Sequence, residues 1–336
     1  MDREQRSGTT GEGRSEPRGG NVRIAYLILA HNNPTHLQRL TQRLQAPGIS
    51  FHIHIDAKVD LAPFAELESP SVQFCEPRVS CFWGDISLVK ATLELMRSAA
   101  AARPDADYFV LLSGACYPLQ TPEYIAAFLE RHRGTEFIEV YPLPNLQFGK
   151  TLERITHYWI RKVGPLGRYR WPLQHWMNRN LPVRNYQKAL RGGEAVTGSQ
   201  WWCLSGEAVR YVLDYQAQYP ALYRFCKFVD CSDEFFFQAV LWNSRFRSAI
   251  SHSLTYTHWV PGPGKQSPET IDASYLAQFG QNVILDAEEN NSPNEKREVL
   301  FARKFSDASG PVLDQIDALA ALRSAHRDES ELTNQG

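Results

Sequence analysis

Arg23 to Ala30 (RIAYLILA), stopped by His31-Asn32-Asn33-Pro34, is the stretch that decides the fold class. It is apolar at nearly every position and too short for a membrane span, which is how a strand covered on both faces reads. Working outward, Leu37, Leu40 and Leu44 fall on one face of a predicted helix. Phe51 to Asp56 is a second strand, and Ser71 to Phe74 a third. Asp85 to Ala101 predicts a long helix whose apolar stripe includes Ile86, Val89, Leu93 and Met96. Tyr108 to Leu112 (YFVLL) is another buried strand, followed by a loop from Ser113 to Pro118. Apolar strands alternating with helices at this spacing predict an α/β fold with a mostly parallel central sheet and helices on both faces. Right-handed crossovers then place the loop after each strand on one edge, where ligands of such sheets bind. That rule gathers His31, Asn32, Asp56, Lys58, Ser113 and Gly114 before any motif is considered. Neither GxGxxG nor GxxxxGK[ST] follows the first strand, which argues against a dinucleotide or P-loop site. His31 and His54 are read as hydrogen-bonded polar residues rather than metal ligands.

The chain has 336 residues, 43% apolar, 22% charged and 12% aromatic, with a formal net charge of -1. A balance so close to zero argues against a nucleic-acid partner. No run is long enough to span a membrane, and the polar N-terminus lacks the apolar core of a signal peptide. Residues 1–22 read as a disordered leader and 326–336 as a disordered tail. Residues 23–325 then form one domain, with 23–135 as its nucleotide-binding half and 136–325 as its acceptor and catalytic half. The six cysteines (75, 81, 116, 203, 226 and 231) lack paired spacing and read as reduced thiols of a cytoplasmic protein, without a zinc site.

The second half changes character. Between residues 138 and 191, aromatics alternate with bases, including Tyr158, Trp159, Arg161, Arg170, Trp171, Trp176 and Arg179. Such a mixture lines a carbohydrate cleft or forms amphipathic helices, with nucleic acid as a third reading. TGSQWWCLS (197–205) is a strand behind a Gly-Ser turn, where Gly198 allows close backbone approach and a Trp can wall a pocket. Ser205 opens a helix. Cys231 to Phe237 (CSDEFFF) places two acids before an apolar helix. Ser232 as N-cap with acids in the first turn is one reading. The other makes one acid a general base, its pKa raised by the neighbouring Phe rings. A strand lies near Ser253 to Trp259, then an irregular Pro261–Lys265 loop, a charged segment from Asp286 to Arg297, LFARKF (300–305), and a helix near Val312 to Leu322.

In their order, IAYLILAHNN (24–33), HIHIDAK (52–58), FWGDISLVKATLELM (82–96), YFVLLSGACYPLQT (108–121), GSQWWCLS (198–205), SDEFFFQAVL (232–241), LTYTHW (254–259) and LFARKF (300–305) resemble glycosyltransferase family 14. That is the family of Core-2/I-branching N-acetylglucosaminyltransferases and peptide O-xylosyltransferases. The resemblance spans residues 23–306. It implies a GT-A-like fold and an inverting β-glycosyltransferase that needs no metal cofactor. A UDP-sugar would be the donor, carrying GlcNAc or xylose, and a hydroxyl on a carbohydrate, glycopeptide or small molecule the acceptor. It further implies Glu234 as the base, with Asp233 structural or capping, and Lys304 on the donor diphosphate with Arg303 beside it. His31, Asn32, Asp56, Lys58, Ser113 and Gly114 match the nucleotide side, and Gly198, Ser199, Trp201 and Trp202 the sugar and acceptor side. Two positions depart from the pattern. No Arg occurs near TYTHWVPGPGK, where Lys265 is the substitute, and Cys116 stands where the family has an acid. These departures keep a second expectation open, a non-catalytic carbohydrate- or nucleotide-sugar-binding module.

Overall fold

The computed structural model describes residues 22–161, 167, 169–259, 267–279, 284–285 and 297–334. Among them the strands are β1 (Ile24–Ala30), β2 (Ile49–Ile55), β3 (Val72–Phe74), β4 (Tyr108–Ser113), β5 (Cys116–Pro118), β6 (Glu136–Pro142), β7 (Val196–Ser205), β8 (Ile250–Ser251), β9 (Thr255–Thr257), β10 (Ile284–Leu285), β11 (Arg297–Glu298) and β12 (Phe301–Arg303). The helices are α1 (Pro34–Leu44), α2 (Ile86–Ala102), α3 (Pro122–Arg131), α4 (Glu153–Thr156), α5 (Arg170–Asn180), α6 (Tyr186–Ala189), α7 (Gly206–Gln218), α8 (Pro220–Cys226), α9 (Phe236–Trp242), α10 (Leu276–Phe279) and α11 (Gly310–Asn334).

Seven strands form the central sheet in the order β3-β2-β1-β4-β7-β6-β8. β1 is parallel to β2 and β4, β2 to β3, and β6 to β8, whereas β7 is antiparallel to both β4 and β6. This is the expected α/β, GT-A-like architecture. Side chains explain why the strands read as unbroken apolar runs. Ile24, Tyr26 and Ile28 of β1 join one cluster while Ala25 and Leu27 join another, and β4 divides in the same way. Successive strand residues point to opposite faces, and both faces are covered. α1, α3 and α11 pack on one face through Leu37, Leu40, Leu44, Phe128 and Ile316. α2, α7 and α9 cover the other through Val89, Met96, Val209 and Phe237. Leu37, Leu40 and Leu44 are each 0% exposed, and full burial stabilises by roughly 1.5–3 kcal/mol per side chain. Asp85 and Ser205 cap α2 and α7 through side-chain oxygens that accept from the backbone of Ser87 and Ala208.

A second, three-stranded sheet has the order β5-β12-β9. Cys116 to Pro118, read from sequence as loop, is therefore a strand whose partner arrives some 180 residues later. The final helix is longer than predicted. It runs to Asn334, through residues assigned to a disordered tail. Arg39 and Arg43 of α1 hold it by ion pairs to Asp317 of 2.8 and 2.6 Å, and the Tyr117 hydroxyl donates to the same carboxylate. Val22, counted with the leader, is buried in the core. Residues 1–21, the Pro261–Lys265 loop with Lys265 itself, and residues 286–296 of the charged segment lie outside the described residues. Among the described residues, no helix is long and apolar enough to cross a membrane, and the cysteines form no disulfide.

Candidate active site

The carboxyl ends of β1, β2 and β4 bring together the residues named from topology. Asn33 adopts a left-handed conformation (φ 54°) that turns the chain from β1 into Pro34 of α1. His31 and Asn32 are consequently exposed at the sheet edge. Asp56 follows β2. Its amide donates to the Ala30 carbonyl (2.9 Å), and its carboxylate accepts from the Lys58 amide (2.9 Å) with the Lys58 ammonium 3.4 Å away. That ammonium also donates to the Cys81 carbonyl and sits 4.3 Å over the Phe82 ring. After β4, Gly114 passes so close to β1 that an added Cβ would lie 2.8 Å from that of Ala30. Partial loss of hydration lowers the His31 pKa, Asp56 raises it, and the charges of Lys304 and Lys58 lower it again, leaving it below its ordinary value. Lys304 therefore lies within electrostatic reach of the nucleotide-side residues. His54 is structural, accepting from the Val79 amide at 2.8 Å.

The three-stranded sheet carries Lys304 to this edge. Arg303 pairs with Cys116 on one side and Thr257 on the other, and the Phe305 amide donates to the Ala115 carbonyl (2.9 Å). Desolvation and the neighbouring Arg303 lower the Lys304 pKa. The Arg303 guanidinium lies 4.6 Å over the Trp201 ring. Cys116 is fully buried, and its thiol accepts from the Ser113 amide at 3.3 Å.

β7 supplies the other side. Because it runs antiparallel to β4 with Val110 opposite Cys203, its Val196–Ser199 portion extends past the carboxyl end of β4. Gly198 is required there, since a Cβ would come 1.7 Å from the Glu139 carbonyl oxygen. Thr197 donates its hydroxyl proton to the Glu234 carbonyl (2.9 Å), and Gln238 donates to the Ser199 carbonyl (2.5 Å). One strand thus anchors both candidate groups, Glu234 at Thr197 and Arg303 over Trp201, four residues or about 13 Å apart along β7. Trp202 is corrected to a core residue. It is 2% exposed and packs on Phe237 at 5.8 Å, so it lines no cleft.

The acidic pair departs from two expectations. Ser232–Glu234 forms a 3₁₀ turn entered through Cys231 at φ 50°, and α9 begins only at Phe236 with no side-chain cap. Among the described residues neither Ser232 nor Asp233 caps a helix. The Ser232 hydroxyl is instead buried without a hydrogen-bond partner among the described residues. The expected desolvation falls on the other acid as well. Burial, then the charge of Glu234, pushes Asp233 up to about 7. For Glu234 burial also raises the pKa, but Arg154 and Lys150 outweigh it and the net shift is downward. Arg154 Nη2 and Lys150 Nζ both donate to Glu234 Oε2, at 2.8 and 2.9 Å, and the side chain keeps 24% exposure. Among the described residues nothing donates to Oε1. Arg154 reaches on to Asp230 (3.5 Å), which pairs with Arg161, and that guanidinium lies 4.7 Å over Trp83.

The topology therefore assembles His31, Asp56, Lys58, Ser113, Gly114, Gly198, Ser199, Glu234 and Lys304 along one edge. The sequence reading missed Lys150 and Arg154. No local signal marks them, since Lys150 sits at an isolated β-bridge to Asn145 while Arg154 lies in the single turn of α4. An ionised carboxylate with one oxygen held by cations can accept a proton at the other, and fixed cations at the far side can receive a departing anion.

A family model described as Core-2/I-Branching enzyme matches residues 24–280. Xylosyltransferase 2 of Homo sapiens is 28% identical over 314 residues, covering 89% of this chain and 34% of the human protein. Xylosyltransferase oxt of Drosophila melanogaster is 25% identical over 310 residues, covering 88% of this chain and 32% of the fly protein. The chain spans about a third of the length of these curated relatives.

Proposed function

The chain belongs to the Core-2/I-branching enzyme family, and on that premise we propose that it is an inverting β-glycosyltransferase. It moves GlcNAc or xylose from a UDP-sugar to an acceptor hydroxyl. Glu234 Oε1 takes the acceptor proton as that oxygen bonds to the sugar's anomeric carbon, and UDP leaves from the opposite face. Lys150 and Arg154 keep the carboxylate ionised and aimed by holding Oε2. Lys304, with Arg303 beside it, supplies fixed positive charge to the departing diphosphate, so the reaction is proposed to run without a divalent metal. Asp56, Lys58, His31 and the Ser113–Gly114 turn hold the nucleotide. The observation that carries this reading is the convergence on one sheet edge of a cation-held carboxylate and a partly desolvated lysine.

The test is UDP release from UDP-GlcNAc and UDP-xylose, with and without EDTA, beside calorimetry for binding. Glu234→Gln is expected to bind donor normally while losing about 10²–10⁴ in turnover, and Lys304→Ala to weaken UDP binding as well as rate. Near wild-type turnover by Glu234→Gln removes the assignment. One observation favours a second reading, a nucleotide-sugar-binding module without turnover. A buried thiol, Cys116, stands where the family has an acid, and the double ion pair damps the basicity of Glu234. Donor binding with no UDP release on any acceptor would establish it.

A further inference from the structure

Residues 154–193 contain nine Lys and Arg and not one Asp or Glu, in a chain whose 36 bases and 37 acids nearly cancel overall. Of the nine, Arg154, Arg161 and Arg184 are turned inward onto Glu234, Asp230 and the Phe228 carbonyl. α5 lies inside this segment. Its inner face is Gln174 and Met177. Gln174 is pinned at both ends of its amide, accepting from the Ile160 amide (3.0 Å) and donating to the Tyr158 carbonyl (2.6 Å). At 100° per residue the opposite face carries Pro172, His175, Trp176 and Arg179, with Trp171 on its flank. All of these are exposed, Trp171 by 55% and Trp176 by 57%. A single exposed indole needs no explanation, but two more than half exposed within six residues make a clustered patch. The face is the convex side of a helix, whereas sugar and nucleotide sites are concave. Indole beside guanidinium, with no carboxylate in the segment, is the pattern of a helix lying at a lipid headgroup boundary.

We propose that α5 seats this protein on an anionic lipid bilayer, with Trp171 and Trp176 entering the headgroup layer and Arg179 facing lipid phosphates. The helix is tied by Gln174 to the segment that follows α4, whose Arg154 holds Glu234. This surface property is independent of the sugar-transfer reading.

The full chain is to be sedimented with vesicles of phosphatidylcholine alone and of equal parts phosphatidylglycerol and phosphatidylcholine, and its tryptophan fluorescence read against brominated lipid. Wild type is expected to partition onto the anionic vesicles, with its emission quenched by bromine. Trp171→Ser with Trp176→Ser is expected to melt at the wild-type temperature and to partition about tenfold more weakly, because interfacial binding scales with apolar area inserted. Arg179→Gln is expected to weaken it about fivefold, the worth of a single cation at an anionic surface. Absence of partitioning, or equal partitioning by the double Ser variant, overturns the proposal. Sedimentation without quenching overturns it too, as does equal Trp-dependent affinity for single-stranded DNA.

Discussion

Replacing Arg154 by Met tests whether the carboxylate of Glu234 is held by the ion pair described above. The substitution keeps the bulk of the side chain and deletes the guanidinium that donates to Glu234 Oε2 at 2.8 Å and lies 3.5 Å from Asp230. Arg154 is 9% exposed, and breaking a buried pair by removing one partner costs about 3–5 kcal/mol. Glu234 keeps Lys150 and partial solvent access, and Asp230 keeps Arg161, so the lower end applies, about 3 kcal/mol at pH 7.5. The pH dependence follows from the depressed pKa of Glu234. A carboxylate lowered in the folded state contributes stability above its unfolded value of about 4.3 and loses it as pH falls through the lower folded value. The gap between wild type and Arg154→Met is therefore largest at neutral pH and narrows below about pH 4. Urea unfolding followed by circular dichroism at pH 7.5, 5.0 and 3.5 measures it. A double-mutant cycle with Glu234→Gln isolates the pair, for which about 1.5–3 kcal/mol of coupling is expected from a charged hydrogen bond. A loss below about 1 kcal/mol, or a gap of equal size at pH 3.5 and 7.5, refutes the assignment.

Three further outcomes follow from the same geometry. Asp233 is raised to about 7, so the folded protein holds its proton while the unfolded chain releases it near pH 4, and wild type loses stability as pH climbs between the two. Asp233→Asn escapes that loss and should gain on wild type with rising pH; identical urea midpoints at pH 4.5 and 8 would count against the buried acid. His52 has both ring nitrogens buried without partners among the described residues, and burial lowers its pKa to about 4. The unfolded chain takes up a proton near 6.5 that the fold refuses, costing about 3 kcal/mol by pH 4, so His52→Leu should flatten the acid limb of thermal stability, and an unchanged limb refutes it. Gly198→Ala forces a Cβ onto the Glu139 carbonyl and should cost more than the usual 1–3 kcal/mol or so of overpacking; a wild-type melting temperature would show that β7 can shift.

The central sheet was legible because its signal is local. RIAYLILA, the Leu37-Leu40-Leu44 stripe and YFVLL each announce their period within a dozen residues, and the loops after those strands follow from handedness alone. What escaped depends on partners far away in the chain. Cys116 to Pro118 has no reason to be extended until β12 lies beside it. Lys150 and Arg154 gain meaning only from Glu234, 84 and 80 residues on. The titration of the acidic pair reversed for the same reason. Three adjacent Phe rings suggested desolvation, and both carboxyls are desolvated, but two distant cations decide which of them is left with a raised pKa. Trp202 shows the opposite limit, since an aromatic in a Gly-Ser-rich strand looks alike whether it faces a ligand or Phe237.

The three-stranded sheet places β12 in the middle, between β5 and β9. A chain cut or stalled before Phe301 would leave both neighbours with open backbone edges, the kind of template on which strands from other molecules pair. Synthesis must pass residue 303 before these edges can be closed. Nascent or clipped forms of this protein should therefore be sticky in a way that the finished one is not.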